Sequence, residues 1–265
     1  MYIEVAAHQG NIALCPSNTI AAYSSAYDIG ADMIECDIHM TRDGELVMIH
    51  DATLDRTTDL QGAVKDLTLD EIKRADAGIK RGREWSGTRI PTLTELCELA
   101  VRRDGAMQFN FEFKVGYSFG VEWSRKCADK IIETVDRYGL WERSFVNSFD
   151  GALLRYIEEK YDSRFRLHGF YPYGILGKER PKKLYCACLW KSKINGVFAF
   201  EGTLNPKEDF DALLSDGVRP WVGASVKTVE DMKRAAELGA ELITSNEPEY
   251  MIRELTLAGL RRKEI

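Results

Sequence analysis

The stretch Tyr27-Asp28-Ile29-Gly30-Ala31-Asp32-Met33-Ile34 returns near the far end of the chain as Ala236-Glu237-Leu238-Gly239-Ala240-Glu241-Leu242-Ile243. Each copy reads as a helix closed by glycine and followed at once by an apolar strand. Glycine supplies the left-handed residue that ends a helix, and short helix-to-strand loops need it there. Gly139 and Gly217 mark two further junctions of the same kind. Helices that alternate with short apolar strands build a parallel sheet. Strands are expected at 2–7, 33–40, 107–115, 145–148, 165–170, 197–200, 219–222 and 241–244. Eight such strands favour a closed ring, and no GxGxxG follows the first strand to favour an open dinucleotide-binding sheet. The chain has 265 residues, and a (β/α)8 barrel takes about 250. The expectation is therefore an α/β protein, a TIM (β/α)8 barrel, with residues 1–265 as a single domain.

The helices follow from their start signals. Pro16-Ser17-Asn18-Thr19 opens the first, with Ser17 or Asn18 as the expected cap. Thr92-x-x-Glu95 is a capping box opening a helix at 93–102, and Thr228 with Asp231 opens one running to Leu238. Further helices are expected at 121–138, 151–161 and 206–215, with a short one at 182–190. Ala52 to Arg89 breaks the rhythm: it is polar and turn-rich, with one short helix begun by Thr68-x-x-Glu71. It reads as an insertion after the second strand.

Composition narrows the function. Hydrophobic residues make up 45% of the chain, enough for a full core, and the net charge is −6. Nucleic acid is bound by basic surfaces, so it is not expected as a partner, whereas a small phosphate-bearing substrate is still permitted. No run of about 18 apolar residues is present to span a membrane. The opening MYIEVAAHQG lacks the basic and apolar regions of a signal peptide. The six cysteines have no zinc-site spacing, and Cys186 and Cys188 sit in the apolar run LYCACLW. A reducing, cytoplasmic setting is expected.

The chemistry concentrates between Met33 and Asp51. Along the strand MIECDIHM, Glu35, Asp37 and His39 share one face and Ile34, Cys36 and Ile38 the other. Two carboxylates on one strand face repel each other unless a cation lies between them. A turn at Arg42-Asp43-Gly44 and a short strand at 46–49 then deliver His50 and Asp51. The first strand ends in His8, and MQFNFEFKV carries Asn110, Glu112 and Lys114 on one face. In a barrel, such strand ends meet at one mouth. Three carboxylates suit a hard divalent ion, Ca²⁺ or Mg²⁺, which leaves the histidines for proton transfer. His39 and His168 are expected to be structural.

These residues resemble the glycerophosphodiester phosphodiesterase family. The resemblance is carried by AHQG (7–10), SNTIAAY (17–23), GADMIECDIHMTRDGELVMIHDATLDRTT (30–58), IPTLTEL (90–96), FEFK (111–114), NSFD (147–150) and ITSNEPE (243–249). It implies a TIM barrel with a small insertion after the second strand, at about 52–89. It further implies Glu35, Asp37 and Glu112 as metal ligands, His8 and His50 as the acid–base pair, and Lys114 as a phosphate contact. Gln9 and Trp221 are added as substrate-binding residues. The chain departs from the family in three places. It has Gln9 where the family has arginine, Ser17 where it has glutamate, and Trp221-Val222-Gly223-Ala224 where it has Trp-Thr-Val-Asn. Gln cannot replace the charge of an arginine on phosphate, and losing such a contact typically costs on the order of 10²–10³ in rate.

The implied function is metal-dependent hydrolysis of a small glycerophosphodiester to glycerol 3-phosphate and an alcohol, with His50 as base and His8 as acid. Two alternatives stand beside it: a lyase that ends at a cyclic phosphate, and a non-catalytic phosphoester-binding protein motivated by Gln9 and Ser17.

Overall fold

Eight parallel strands close on one another in the computed structural model, which describes residues 2–162, 164–189, 204–223 and 226–261. They are β1 (Glu4–Ala7), β2 (Met33–Met40), β4 (Gln108–Phe113), β5 (Ser144–Asn147), β6 (Arg166–Tyr171), β7 (Cys186–Leu189), β8 (Arg219–Val222) and β9 (Leu242–Ser245). They pair in that order, and β9 returns to β1, which also pairs with β2. The remaining strand, β3 (Leu46–Met48), lies antiparallel on β2 outside the ring. Helices α1 (Ile20–Asp28), α3 (Leu93–Arg103), α4 (Val121–Arg137), α5 (Gly151–Lys160), α6 (Lys207–Ser215), α7 (Val229–Glu237) and α8 (Pro248–Leu257) follow the strands. The short α2 (Leu69–Ile72) belongs to the segment between β3 and α3.

Strand alternation divides the side chains between two cores. Ile34, Cys36 and Ile38 of β2 and Phe109, Phe111 and Phe113 of β4 belong to one large cluster with the buried stripes of α3 and α4. Their sequence neighbours point into the ring. There Ala6, Met33, Phe145, Cys186, Trp221 and Leu242 pack together and fill its lower part, as side-chain layers do in such barrels. The segment between β3 and α3 has a small core of its own, in which Leu54, Val64, Ile72 and Ala75 pack on Val47, Ile49 and Ile90. Among the described residues, no helix is long and apolar enough to cross a membrane.

Two expectations need correction. The short helix expected at 182–190 is a strand over Cys186–Leu189, buried throughout and paired with β6 and β8. A short apolar run has too few residues to show either period, so its neighbours decide. The strand expected at 197–200 lies outside the described residues, and β7 takes the sixth place in the ring. The cap of α1 is Thr19, whose hydroxyl accepts from the Ala22 amide, and not Ser17 or Asn18. The capping boxes at Thr68 and Thr92, and the cap at Thr228, form as expected.

Candidate active site

The inward faces of β2 and β4 meet in register, so that Asp37 lies beside Glu112 and Glu35 beside Asn110. Carboxylate oxygens of Glu35, Asp37 and Glu112 come within 4.8 Å of one another, and all three residues are buried. One cation, Lys114, reaches them. Its Nζ donates to Glu112 Oε1 and stands 3.1 Å from Asp37 Oδ1. That second contact is within ion-pair range but off the geometry of a hydrogen bond, so Asp37 Oδ1 has no hydrogen-bond donor, and neither does Glu35 Oε1. Buried acceptors without donors are rare and costly. Three carboxylates facing one ammonium leave a negative excess that a divalent cation would neutralise, and the all-oxygen donor set is the kind that hard cations take.

The acids divide by their surroundings. Burial, then the charges of Asp37 and Glu112, push the Glu35 carboxyl well above its ordinary range. Burial also raises Glu112, against the pull of Lys114. Burial opposes ionisation of Asp37 as well, but Lys114, His50 and a hydrogen bond from Asn18 outweigh it and hold that carboxyl below its usual value. Burial would lower Lys114, yet Glu112 and Asp37 keep it charged and raise it.

Asn18 was read from the sequence only as a possible cap. Instead its Nδ2 donates to Asp37 Oδ2 at 2.8 Å, and its Oδ1 accepts from the Asp37 amide and from the Tyr23 hydroxyl. It adopts the left-handed conformation, with φ of 54°, that turns its side chain inward. The neighbouring turn is equally committed. The Gln9 amide donates to Glu35 Oε2 at 2.9 Å, and Gly10 follows with φ of 82°. A Cβ on Gly10 would lie 2.7 Å from the backbone of Ala22 in α1. Gly10→Ala is therefore expected to cost about 2–5 kcal/mol, from the positive φ together with the clash. Urea unfolding followed by circular dichroism checks this; a loss below 1 kcal/mol would mean that α1 moves aside freely.

The two histidines stand at the rim. His8 Nδ1 lies 2.6 Å from Asn246 Oδ1, and its Nε2 is 3.8 Å from Glu35 Oε2. His50 Nδ1 lies 2.7 Å from Asp51 Oδ1, and Arg56 clamps Asp51 through Nε and Nη2 at 2.5 and 2.9 Å. The hydrogen bond from Arg56 leads the effects that hold the Asp51 carboxyl well below its ordinary range. Both partner oxygens accept, so each ring donates from Nδ1 and turns Nε2 elsewhere. His39 is buried with Nε2 against the His50 carbonyl, and burial lowers it to about 4. His168 is buried as well, with Nδ1 3.2 Å from Asn110 Oδ1, and burial lowers it to about 3.

His8, His50, Glu35, Glu112 and Lys114 line a single cavity of about 340 Å³, floored by Asn110, Asn147 and His168. Two sequence-predicted residues are placed otherwise. Trp221 packs at 4.6 Å on the His168 ring and 4.9 Å on Phe145, inside the barrel and away from the cavity wall. Gln9 borders a separate cleft together with Ser17. Asn246, Arg56 and Asn147 were not singled out by sequence reasoning, and Asp51 was named beside His50 without a role. Their signal was present only as membership of the motifs ITSNEPE, HDATLDR and NSFD.

A closed (β/α)8 barrel with acids, a lysine and two histidines gathered at the C-terminal ends of its strands is built as an enzyme. A family model for the glycerophosphoryl diester phosphodiesterase family matches residues 8–250. A glycerophosphodiester phosphodiesterase of Caldanaerobacter subterraneus is 36% identical over 252 residues, covering 94% of this chain and 96% of its own. The solved structure of a putative glycerophosphoryl diester phosphodiesterase from Silicibacter pomeroyi superposes with a TM-score of 0.79 at 20% identity, covering 98% of this chain and 95% of that one. That of a phosphodiesterase from Oleispira antarctica, in complex with the product sn-glycerol-3-phosphate, gives 0.77 at 20% identity, covering 96% and 97%. The chain belongs to the glycerophosphoryl diester phosphodiesterase family and is a phosphodiesterase.

Proposed function

We propose that this chain hydrolyses a small glycerophosphodiester to glycerol 3-phosphate and an alcohol, with a divalent cation, Ca²⁺ or Mg²⁺, held by Glu35, Asp37 and Glu112. The observation that carries this reading is the buried triad of carboxylates with two oxygens that lack a hydrogen-bond donor, opening into a cavity rimmed by two histidines. A cation bound there supplies charge neutralisation of the phosphoryl oxygens during displacement. Lys114, already fixed between Asp37 and Glu112, has an N–H left to offer a phosphate oxygen. His50 takes the proton of the nucleophile, a water or the glycerol hydroxyl, at its free Nε2. The Asp51 carboxylate behind it stabilises the imidazolium that results, the logic by which a buried acid supports a base histidine. His8, backed by the neutral Asn246 amide, donates to the departing alkoxide.

The test is a panel of glycerophosphodiesters with choline, ethanolamine, glycerol and inositol heads, assayed with Ca²⁺, Mg²⁺ or EDTA for release of glycerol 3-phosphate. Metal-dependent release is the expected result. Phosphorus NMR showing a persistent cyclic phosphate would make the enzyme a lyase instead. Ligand binding without turnover of any diester would retire the site to binding.

A further inference from the structure

The cleft that Gln9 and Ser17 border holds about 260 Å³ and is also lined by Thr57, Arg56, Lys80 and Arg81. Its ten lining residues include three cations and no acid, although acids outnumber bases 42 to 36 in the whole chain. Two of the three cations have no carboxylate within ion-pair distance among the described residues. Lys80 Nζ donates to the Asp55 carbonyl, and Arg81 Nη2 to the Ala13 carbonyl. Those bonds neutralise nothing, but they hold both side chains against the cleft, and the Arg81 bond ties the insertion to the loop before α1. Arg56 spends Nε and Nη2 on Asp51 and keeps Nη1 uncommitted. Ser17, Thr57 and Gln9 add neutral side chains able to donate.

No residue lines both the cleft and the catalytic cavity, but two residues of the cleft are bonded to the catalytic centre. The Gln9 amide bonds Glu35, and Arg56 reaches His50 through Asp51. A diester whose phosphate sits over Glu35 and Lys114 would pass its alcohol over Gln9 to reach Lys80 and Arg81. Resting on the phosphodiesterase reading above, we propose that this cleft is a subsite for an anionic group on the substrate's alcohol, a carboxylate or a second phosphate. The enzyme then prefers glycerophosphodiesters whose head group carries its own negative charge.

Glycerophosphoserine and glycerophosphoethanolamine differ by one carboxylate and make the sharpest comparison. At low ionic strength the ratio of their kcat/KM values should favour the serine diester about tenfold, the scale of one or two charge-assisted contacts at a partly exposed site. Added salt should erode that ratio as it screens the contact. Lys80→Ala with Arg81→Ala should bring it near one, chiefly through KM, and Arg81→Glu should invert it, while Arg81→Lys retains most of it. Loss of fold lowers both rates and leaves the ratio intact, so the ratio separates the two explanations. Turnover of both diesters at equal efficiency, or a ratio unmoved by the double variant, overturns the subsite and leaves the phosphodiesterase standing. No turnover of any diester overturns both.

Discussion

Glu35→Gln is expected to remove activity and yet stabilise the metal-free protein. Glutamine keeps the shape and still accepts the Gln9 amide that now bonds Glu35 Oε2, so the turn at Gln9 and Gly10 survives. What disappears is one of three buried negative charges. Burial and the charges of Asp37 and Glu112 raise the Glu35 carboxyl well above its ordinary range. In the absence of metal, ionising this group opposes folding. The sign follows from linkage. A carboxyl raised in the folded state binds more protons folded than unfolded, so stability falls as pH climbs from the ordinary glutamate range to the raised value. The metal-free wild type should therefore lose thermal midpoint between mildly acidic and mildly alkaline pH, and Glu35→Gln should lose less and melt higher at pH 8. Divalent ion reverses the comparison. Binding to the folded state alone stabilises it by RT ln(1 + [L]/Kd), about 2.7 kcal/mol at a hundredfold excess over Kd. Wild type should gain that shift with Ca²⁺ or Mg²⁺, and the variant little of it. If the bound cation supplies several kcal/mol of transition-state stabilisation, turnover falls by roughly 10³–10⁴. Differential scanning calorimetry with EDTA and with each ion, beside the diester assay, checks all of this. A variant that melts lower than metal-free wild type at pH 8 would mean that Glu35 is held by something other than a cation.

How much of this was legible in the sequence depends on which force decides each feature. The βα rhythm and the helix starts were readable because local residues decide them: glycine ends, capping boxes and short apolar strands. The pairing of Glu35, Asp37 and Glu112 was readable because strand alternation and parallel register together put them on one wall. Cys186–Leu189 was misread because four apolar residues carry no period, and only neighbouring strands make them extended. Asn18 was misread for a different reason. Asparagine caps helices and tolerates left-handed backbone equally well, and the buried charge of Asp37, distant in sequence, settles the choice. Asn246 and Arg56 belong to this second kind. Asn246 acts through His8 at the far end of the chain and Arg56 through Asp51 across an irregular loop, and no spacing rule announces either contact.

His50→Ala and His8→Ala should each lower kcat on the natural diesters by roughly 10²–10⁴, the range of one general acid–base contribution. Equal losses would leave the roles unassigned, so the leaving group must be varied. An alkoxide needs a proton to depart; p-nitrophenolate does not. On the p-nitrophenyl ester of glycerol 3-phosphate, the acid's variant should recover most of its rate, and the base's variant should not. The environments predict which is which. His50 is backed by Asp51, held ionised by the Arg56 clamp, and that carboxylate orients the ring and stabilises the positive charge a base acquires. His8 is backed by a neutral amide and faces Glu35 at 3.8 Å, so no carboxylate behind its Nδ1 supports it as a base. His8→Ala should therefore recover on the activated ester and lose the alkaline limb of its pH–rate profile. His50→Ala should stay slow and lose the acidic limb. Asp51→Asn should act through His50, weakening the base without deleting it, so its rate loss is smaller and its acidic limb shifts to lower pH. Recovery of His50→Ala on the activated ester, with His8→Ala remaining slow, would reverse the assignment and make the carboxylate-backed histidine the acid.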